Sequence, residues 1–334
     1  MTVETEPALP HAYRDPVSLT PTLPGILVAE IESAAAYAKA SRASSTQRVY
    51  ASDWRIFLAW CEARSIEALP ADPRAVATFL AAEADNGAKP ATIGRRLAAI
   101  GYYHKQAGLQ PPQAREGAAV IGQVMGGIRR TKGVRPVRKR AADGDALRDM
   151  LRAIEGDGLR SVRDRAVLAL GMAAALRRSE IVALTLDDIE LVPQGLKVTI
   201  RGSKTDQERA GAVIAIPEGR RIRPKALLLA WMELAAHQDG TLFRKLTPAD
   251  RLTATPMSDR SIARIVQKHA AAAGYDPTEF AGHSLRAGFL TEAEANGASI
   301  FKMQEVSRHK SVQVLSAYVR SREMFREHAG EKFL

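Results

Sequence analysis

The segment Ala166–Leu176 reads AVLALGMAAAL and is apolar on every face of a helix. A helix with no polar stripe belongs inside a fold. No apolar run in the chain reaches transmembrane length, so this helix must be enclosed by the chain's own elements. Ser161–Leu176 is therefore expected to be the buried central helix of a domain starting near Ala142. It ends in Ala175-Leu176-Arg177-Arg178-Ser179-Glu180, and a new helix runs on through Leu184.

Other elements follow around it. Asp145 is placed to cap a helix reaching about Ile154. Ile189–Val192 is a candidate strand, followed by the turn Pro193-Gln194-Gly195. Leu196, Val198 and Ile200 alternate with Lys197, Thr199 and Arg201, the period of a half-buried strand, and Gly211–Ile216 pairs back. The hairpin tip, Gly202–Arg209, carries Lys204. A helix is expected from Pro224 to Ala236. Another runs from a Ser258 cap to Ala273, with Arg260, Arg264 and Lys268 along one side. A last helix, about Ser321–Phe333, bears a small apolar stripe of Phe325, Ala329 and Phe333.

Upstream the pattern is helical throughout. Residues 1–24 carry acids and prolines and read as a flexible leader rather than a signal peptide. Helices are expected over Ile26–Ala40, from Ser44 to about Arg64, from Asp72-Pro73 to near Gly87, from Lys89-Pro90 onward, and over about Ala114–Arg129. In the second, Trp54, Phe57, Leu58 and Cys61 share one face. Ile93, Leu97 and Ile100 face inward from the fourth, which leaves Thr92, Arg95, Arg96 and Tyr103 on a basic surface. Thr92, Arg95 and Arg96, with Arg48, Lys89, Arg260 and Arg264, are candidate contacts for a polyanion such as DNA, although Arg95 or Arg96 taken alone fits a solvated helix face.

The chain of 334 residues is long enough for two domains, and its net charge of +11 favours a polyanionic partner, nucleic acid first. Much of that charge sits in Arg129–Arg140, RRTKGVRPVRKR, which contains no acid. Gly133 and Pro136 interrupt any helix there. The segment reads as a basic interdomain linker over 131–141, with Arg129, Arg130, Lys132, Arg135 and Arg138 available to phosphates. Domains are thus expected at 25–130 and 142–334. The one cysteine, Cys61, excludes an internal disulfide and any cysteine-rich zinc site.

Chemistry concentrates in Ala281–Tyr318. His283 and Arg286 lie three apart, on one helical face. His309 follows, and Tyr318 comes nine residues after it. Arginine clamps phosphate oxygens in pairs, histidine moves protons near neutral pH, and a tyrosine oxygen can attack phosphorus. Each residue alone reads more readily as an ordinary core or surface group than as a catalyst. His283 and His309 lack zinc-ligand spacing, so no metal is expected.

In order, Arg177, Lys204, His283-x-x-Arg286, His309 and Tyr318 resemble the tyrosine recombinase (phage integrase) family, close to its Cre-like members. The resemblance covers nearly everything after the leader. It implies a mainly α protein with a small antiparallel β-sheet: an N-terminal helical core-binding domain and an α+β catalytic domain. It also implies a site-specific DNA recombinase working without metal or ATP. Arg177 and Arg286 clamp the phosphate, and His283 and His309 add hydrogen bonds, with His283 the better base. Lys204 serves as general acid and Tyr318 as nucleophile forming a 3′-phosphotyrosyl link. Glu180 orients Arg177 or His283. The partner is double-stranded DNA, bound by a dimer at each site and a homo-tetramer on two sites. Location is cytoplasmic, with the nucleoid, and no membrane is involved.

The chain departs from the family pattern at three places. Ala175 stands where glycine is frequent, Ala287 where histidine is frequent, and Ser307-Arg308 where Leu-Gly is common. Two other readings are a relaxing type IB topoisomerase and a non-catalytic DNA-binding regulator on the same fold. Tyr275 and Tyr50 are competing nucleophiles without the surrounding motif.

Overall fold

The computed structural model describes residues 28–40, 44–134, 139–202, 211–313 and 315. Lys204, Arg135, Arg138, Tyr318 and the expected C-terminal helix lie outside the described residues. The chain divides into two compact units, Met1–Pro136 and Val137–Leu334. Among the described residues no helix is long and apolar enough to cross a membrane.

The first unit is built from α1 (Val28–Ala40), α2 (Ser44–Glu62), α3 (Pro73–Asp85), α4 (Pro90–Gln106) and α5 (Ala119–Lys132). Asp72 accepts the Arg74 amide and Pro73 takes the first helical position, so α3 starts where its sequence dictates. The expected face of α2 is buried: Trp54, Phe57 and Cys61 pack with Phe79, Leu80, Ile93, Ile100, Ile121 and Met125. A buried histidine ties α4 to the loop before α3. His104 donates from Nδ1 to the Ile100 carbonyl at 2.8 Å. Its Nε2 accepts the Ala71 amide at 2.9 Å. Burial first holds this ring below the usual imidazole range, partly offset by the Ile100 bond, which suits the neutral form both contacts require.

Three features of α4 and α5 differ from expectation. Arg96 is not on an open basic surface. Its side chain is 16% exposed and pairs with Glu83 and Asp53, acids that reach it from α3 and α2. Tyr103 likewise turns inward and stacks on Trp54 at 4.9 Å. The helix α5 also runs further, so Arg129, Arg130 and Lys132 occupy its last turn rather than an irregular linker.

The second unit contains α6 (Gly144–Arg152), α7 (Leu159–Ala173), α8 (Arg178–Ala183), β1 (Ile189–Val192), β2 (Gly195–Ile200) and β3 (Ala212–Pro217). It continues with α9 (Pro224–Ala235), β4 (Arg244–Leu246), β5 (Leu252–Pro256), α10 (Asp259–Ala272), α11 (Ser284–Ala295) and α12 (Ile300–Ser307). As its composition requires, α7 is the core: Ala166–Leu170 are fully buried, with Leu147, Trp231, Val266 and Leu285 among their neighbours. Asp164 on α7 meets His269 on α10 at 3.0 Å and Arg163 at 2.8 Å, a buried ion cluster that keeps the carboxylate charged against its own desolvation. The strands β1, β2 and β3 form an antiparallel sheet in that order, with Val198 opposite both Ile189 and Ile214.

The cap of α6 is Asp143, whose side chain accepts the Ala146 amide, and not Asp145. Asp145 sits in the first turn and pairs with Arg148. Asp143 prevails because Gly144 begins the helix directly after it. The basic stretch also ends differently. Arg140 is held on the second unit, its amide bonded to Glu279 at 2.8 Å and its guanidinium 4.7 Å over Tyr275.

Two glycines set how closely α11 approaches its neighbours. A Cβ on Gly171 of α7 would lie 2.7 Å from a Leu285 methyl. On Gly288 a Cβ would overlap the carbonyl oxygen of Ala142, the residue whose amide bonds Ser284 at 2.9 Å. Gly288→Ala should therefore destabilise the protein by about 1–3 kcal/mol, despite alanine's better helix propensity. Thermal unfolding followed by circular dichroism measures this, and unchanged stability would contradict the close approach.

Candidate active site

The site is built at the C-terminal end of α7. Ala175 adopts φ +47°, in the left-handed region. The Leu176 amide bonds the Gly171 carbonyl at 2.9 Å and the Ala175 amide bonds Met172 at 2.8 Å. This paired closure ends the helix and leaves the Ala174 and Ala175 carbonyls without helical partners. They lie at the negative end of the helix dipole and inside the protein, so they call for cationic donors. Arginines from two other elements supply them. Arg286, fully buried on α11, donates to Ala175 at 2.7 Å. Arg308, just past α12, reaches Ala174 at 3.3 Å and Ala175 at 3.4 Å.

Arg177 follows directly, as the residue before α8. Glu180, buried one turn on, accepts the Arg177 amide at 2.8 Å and its guanidinium at 2.6 Å. The same carboxylate accepts Arg308 at 2.7 Å. Burial raises the proton affinity of Glu180, but Arg308 and then the Arg177 bonds lower it further, so the group stays below the usual carboxylate range. Glu180 is thus an ionised bridge between two arginines.

His309 completes the inner wall. Its ring nitrogens lie 3.3 and 3.4 Å from an Arg286 guanidinium nitrogen, and its Nδ1 is 2.8 Å from the Ser307 hydroxyl. Desolvation first, then Arg286, Arg177, His283 and Arg308, push its pKa down to about 4. His283 stands at the start of α11, more open to solvent. It too is lowered, by desolvation and then by Arg286 and Arg177. The arrangement is a cation-dense recess with two neutral imidazoles, suited to an anion that gains charge as it reacts.

Of the residues expected from sequence, Arg177, Glu180, His283, Arg286 and His309 come together. Glu180 bonds Arg177 directly. Tyr275 is bound elsewhere, donating to Asp149 at 2.6 Å, and that bond raises its phenol pKa, the wrong direction for a nucleophile. Arg48, Lys89, Arg129, Arg130, Lys132, Arg260 and Arg264 are exposed, while Thr92 is half-buried. Arg95 is partly exposed but paired with Asp53 at 2.7 Å. Arg308 was not among the expected site residues. The sequence marks it only as a charge beside His309.

The family model described as the phage integrase family matches residues 141–324. An integrase/recombinase xerD homolog from Selenomonas ruminantium is 34% identical over 291 residues, covering 86% of this chain and 85% of that protein. The chain belongs to the phage integrase family. The match to this family takes in every position from Arg177 to Tyr318. Two solved structures share the fold. A lambda integrase dimer bound to a COC′ core site superposes with a TM-score of 0.57 at 18% identity, covering 83% of this chain and 89% of that one. XerH site-specific recombinase bound to palindromic difH substrate gives 0.56 at 18% identity, covering 78% and 72%.

The field within this phage integrase site is measurable. In the unliganded protein the His309 ring should stay neutral until pH about 4, against about 6.5 for an ordinary histidine. Imidazole NMR, assigned by loss of the signal in His309→Gln, reads the midpoint. A midpoint in the ordinary range would mean that burial and the surrounding arginines do not act on this ring.

Proposed function

We propose that this chain is a site-specific DNA recombinase of the tyrosine class, which cleaves and rejoins double-stranded DNA through a phosphotyrosyl intermediate. The observation that carries the reading is the meeting of Arg177, Arg286, His283 and His309 at the end of α7. A phosphodiester is anionic and gains negative charge on its non-bridging oxygens as it is attacked. Arg177 and Arg286 are assigned to those oxygens, and His309, neutral, hydrogen-bonds beside them.

Tyr318 is assigned the attack. Its phenolic oxygen forms a bond to phosphorus while the bond from phosphorus to the 5′-oxygen breaks. His283, with its lowered pKa, is neutral at pH 7 and free to take the phenolic proton. Lys204 is assigned the proton donated to the leaving 5′-oxygen. A 5′-hydroxyl from a second duplex then attacks the phosphotyrosine and releases the tyrosine. One phosphoester bond is made for each one broken, so no ATP is consumed. Exchange between two duplexes calls for a dimer at each site and four protomers in all, the arrangement assigned here.

Tyr318→Phe should bind DNA normally and form no covalent adduct on a nicked suicide substrate. Arg177→Ala should slow adduct formation about 10²-fold or more without abolishing it. Denaturing gels and peptide mapping give the result. An adduct on another residue, or cleavage by the Phe variant, removes Tyr318 from its role.

The exposed cations at the end of α5 are assigned to the DNA backbone. Changing Arg129, Arg130 and Lys132 to glutamine should lower the slope of log affinity against log salt by roughly 2–3. Sequence preference should not change. Filter or fluorescence titrations over a salt series measure it, and an unaltered slope would place these side chains off the phosphates.

A further inference from the structure

Arg308 has an unusual set of neighbours for a side chain outside the expected catalytic set. Its backbone is in the left-handed region, at φ +55° and ψ +41°. That conformation is strained for a residue with a Cβ, and glycine would adopt it freely. The arginine nonetheless occupies it with its side chain turned inward, 11% exposed. Its guanidinium donates to the Val306 carbonyl at 2.6 Å, to Ala174 at 3.3 Å, to Ala175 at 3.4 Å and to the Glu180 carboxylate at 2.7 Å.

The geometry links these contacts to the reaction. One oxygen of Glu180 holds the Arg177 guanidinium, and the other receives both the Arg177 amide and Arg308. Arg308 therefore fixes the far side of the carboxylate that aims Arg177. It also holds the Ala174 and Ala175 carbonyls at the end of α7, directly before Arg177.

We propose that Arg308 is a positioning residue for DNA cleavage, which holds Glu180 and the end of α7 so that the Arg177 guanidinium faces the scissile phosphate. This rests on the proposed recombinase function and adds a residue to it.

The test is single-turnover cleavage of a suicide substrate by the full chain, at saturating protein, alongside single-site DNA affinity. Arg308→Gly fits the left-handed backbone and removes only the side chain. It should slow cleavage about tenfold to a hundredfold and leave affinity unchanged. In an Arg177→Ala background the same change should have little further effect, because Arg308 acts through Arg177. Arg308→Lys, which keeps the charge but loses the fork, should recover part of the rate.

Wild-type cleavage by Arg308→Gly overturns the inference, and so does a loss that simply multiplies with that of Arg177→Ala. If circular dichroism shows Arg308→Gly to be unfolded, Arg308→Lys decides in the same two backgrounds. A lysine variant slowed only when Arg177 is present supports the inference, and one at the wild-type rate overturns it. Failure of the unaltered protein to form any adduct instead removes the recombinase reading itself.

Discussion

The C-terminus of a buried helix presents carbonyl oxygens that must find donors, and in this protein the donors are arginines. From Ala166 onward α7 is apolar on all sides and therefore central. Its end, closed by the turn at Ala175, exposes two carbonyls to the protein interior rather than to water. Meeting that need with guanidinium groups has two effects at once. It secures the helix end, and it gathers positive charge in one place. Stability and chemistry draw on the same contacts, so the arginines of the site are also structural members of the core.

Charge gathered this way has to be kept from repelling itself. Glu180 does this by standing between Arg177 and Arg308, buried and still ionised. The imidazoles respond in the other direction and give up their protons. A single carboxylate among several cations leaves the recess positive on balance, and it fixes the orientation of the groups around it. This is electrostatic preorganisation, in which the field is present before the ligand arrives.

Much of this was legible from residue order. The all-apolar helix, the alternating strands and the proline and aspartate helix starts each carry a local physical signal. The set Arg177, His283, Arg286 and His309 was readable as a resemblance, and its members do converge. What escaped the sequence reading depends on partners distant in the chain. Arg96 looked exposed because Asp53 and Glu83, which bury its charge, lie on other helices. Arg308 looked like surplus charge until Glu180 and the end of α7 were beside it. β4 and β5 escaped for a different reason: β4 is three residues long, the pair contains an irregularity of register, and neither strand has clean alternation. The α6 cap was misplaced by two residues because two aspartates flank Gly144, and either could serve.

The depressed basicity of His309 has a consequence for the protein as a binder of anions. Its pKa of about 4 reflects burial and surrounding positive charge. Under the proposed function, a phosphate entering the recess opposes that field and raises the ring's proton affinity. A group whose pKa is higher in the complex than in the free protein takes up a proton as the complex forms. Association is then coupled to proton uptake: it strengthens as pH falls below the bound-state pKa and levels off below the free-state value. Acidity and DNA thereby act on one residue as mutually reinforcing ligands.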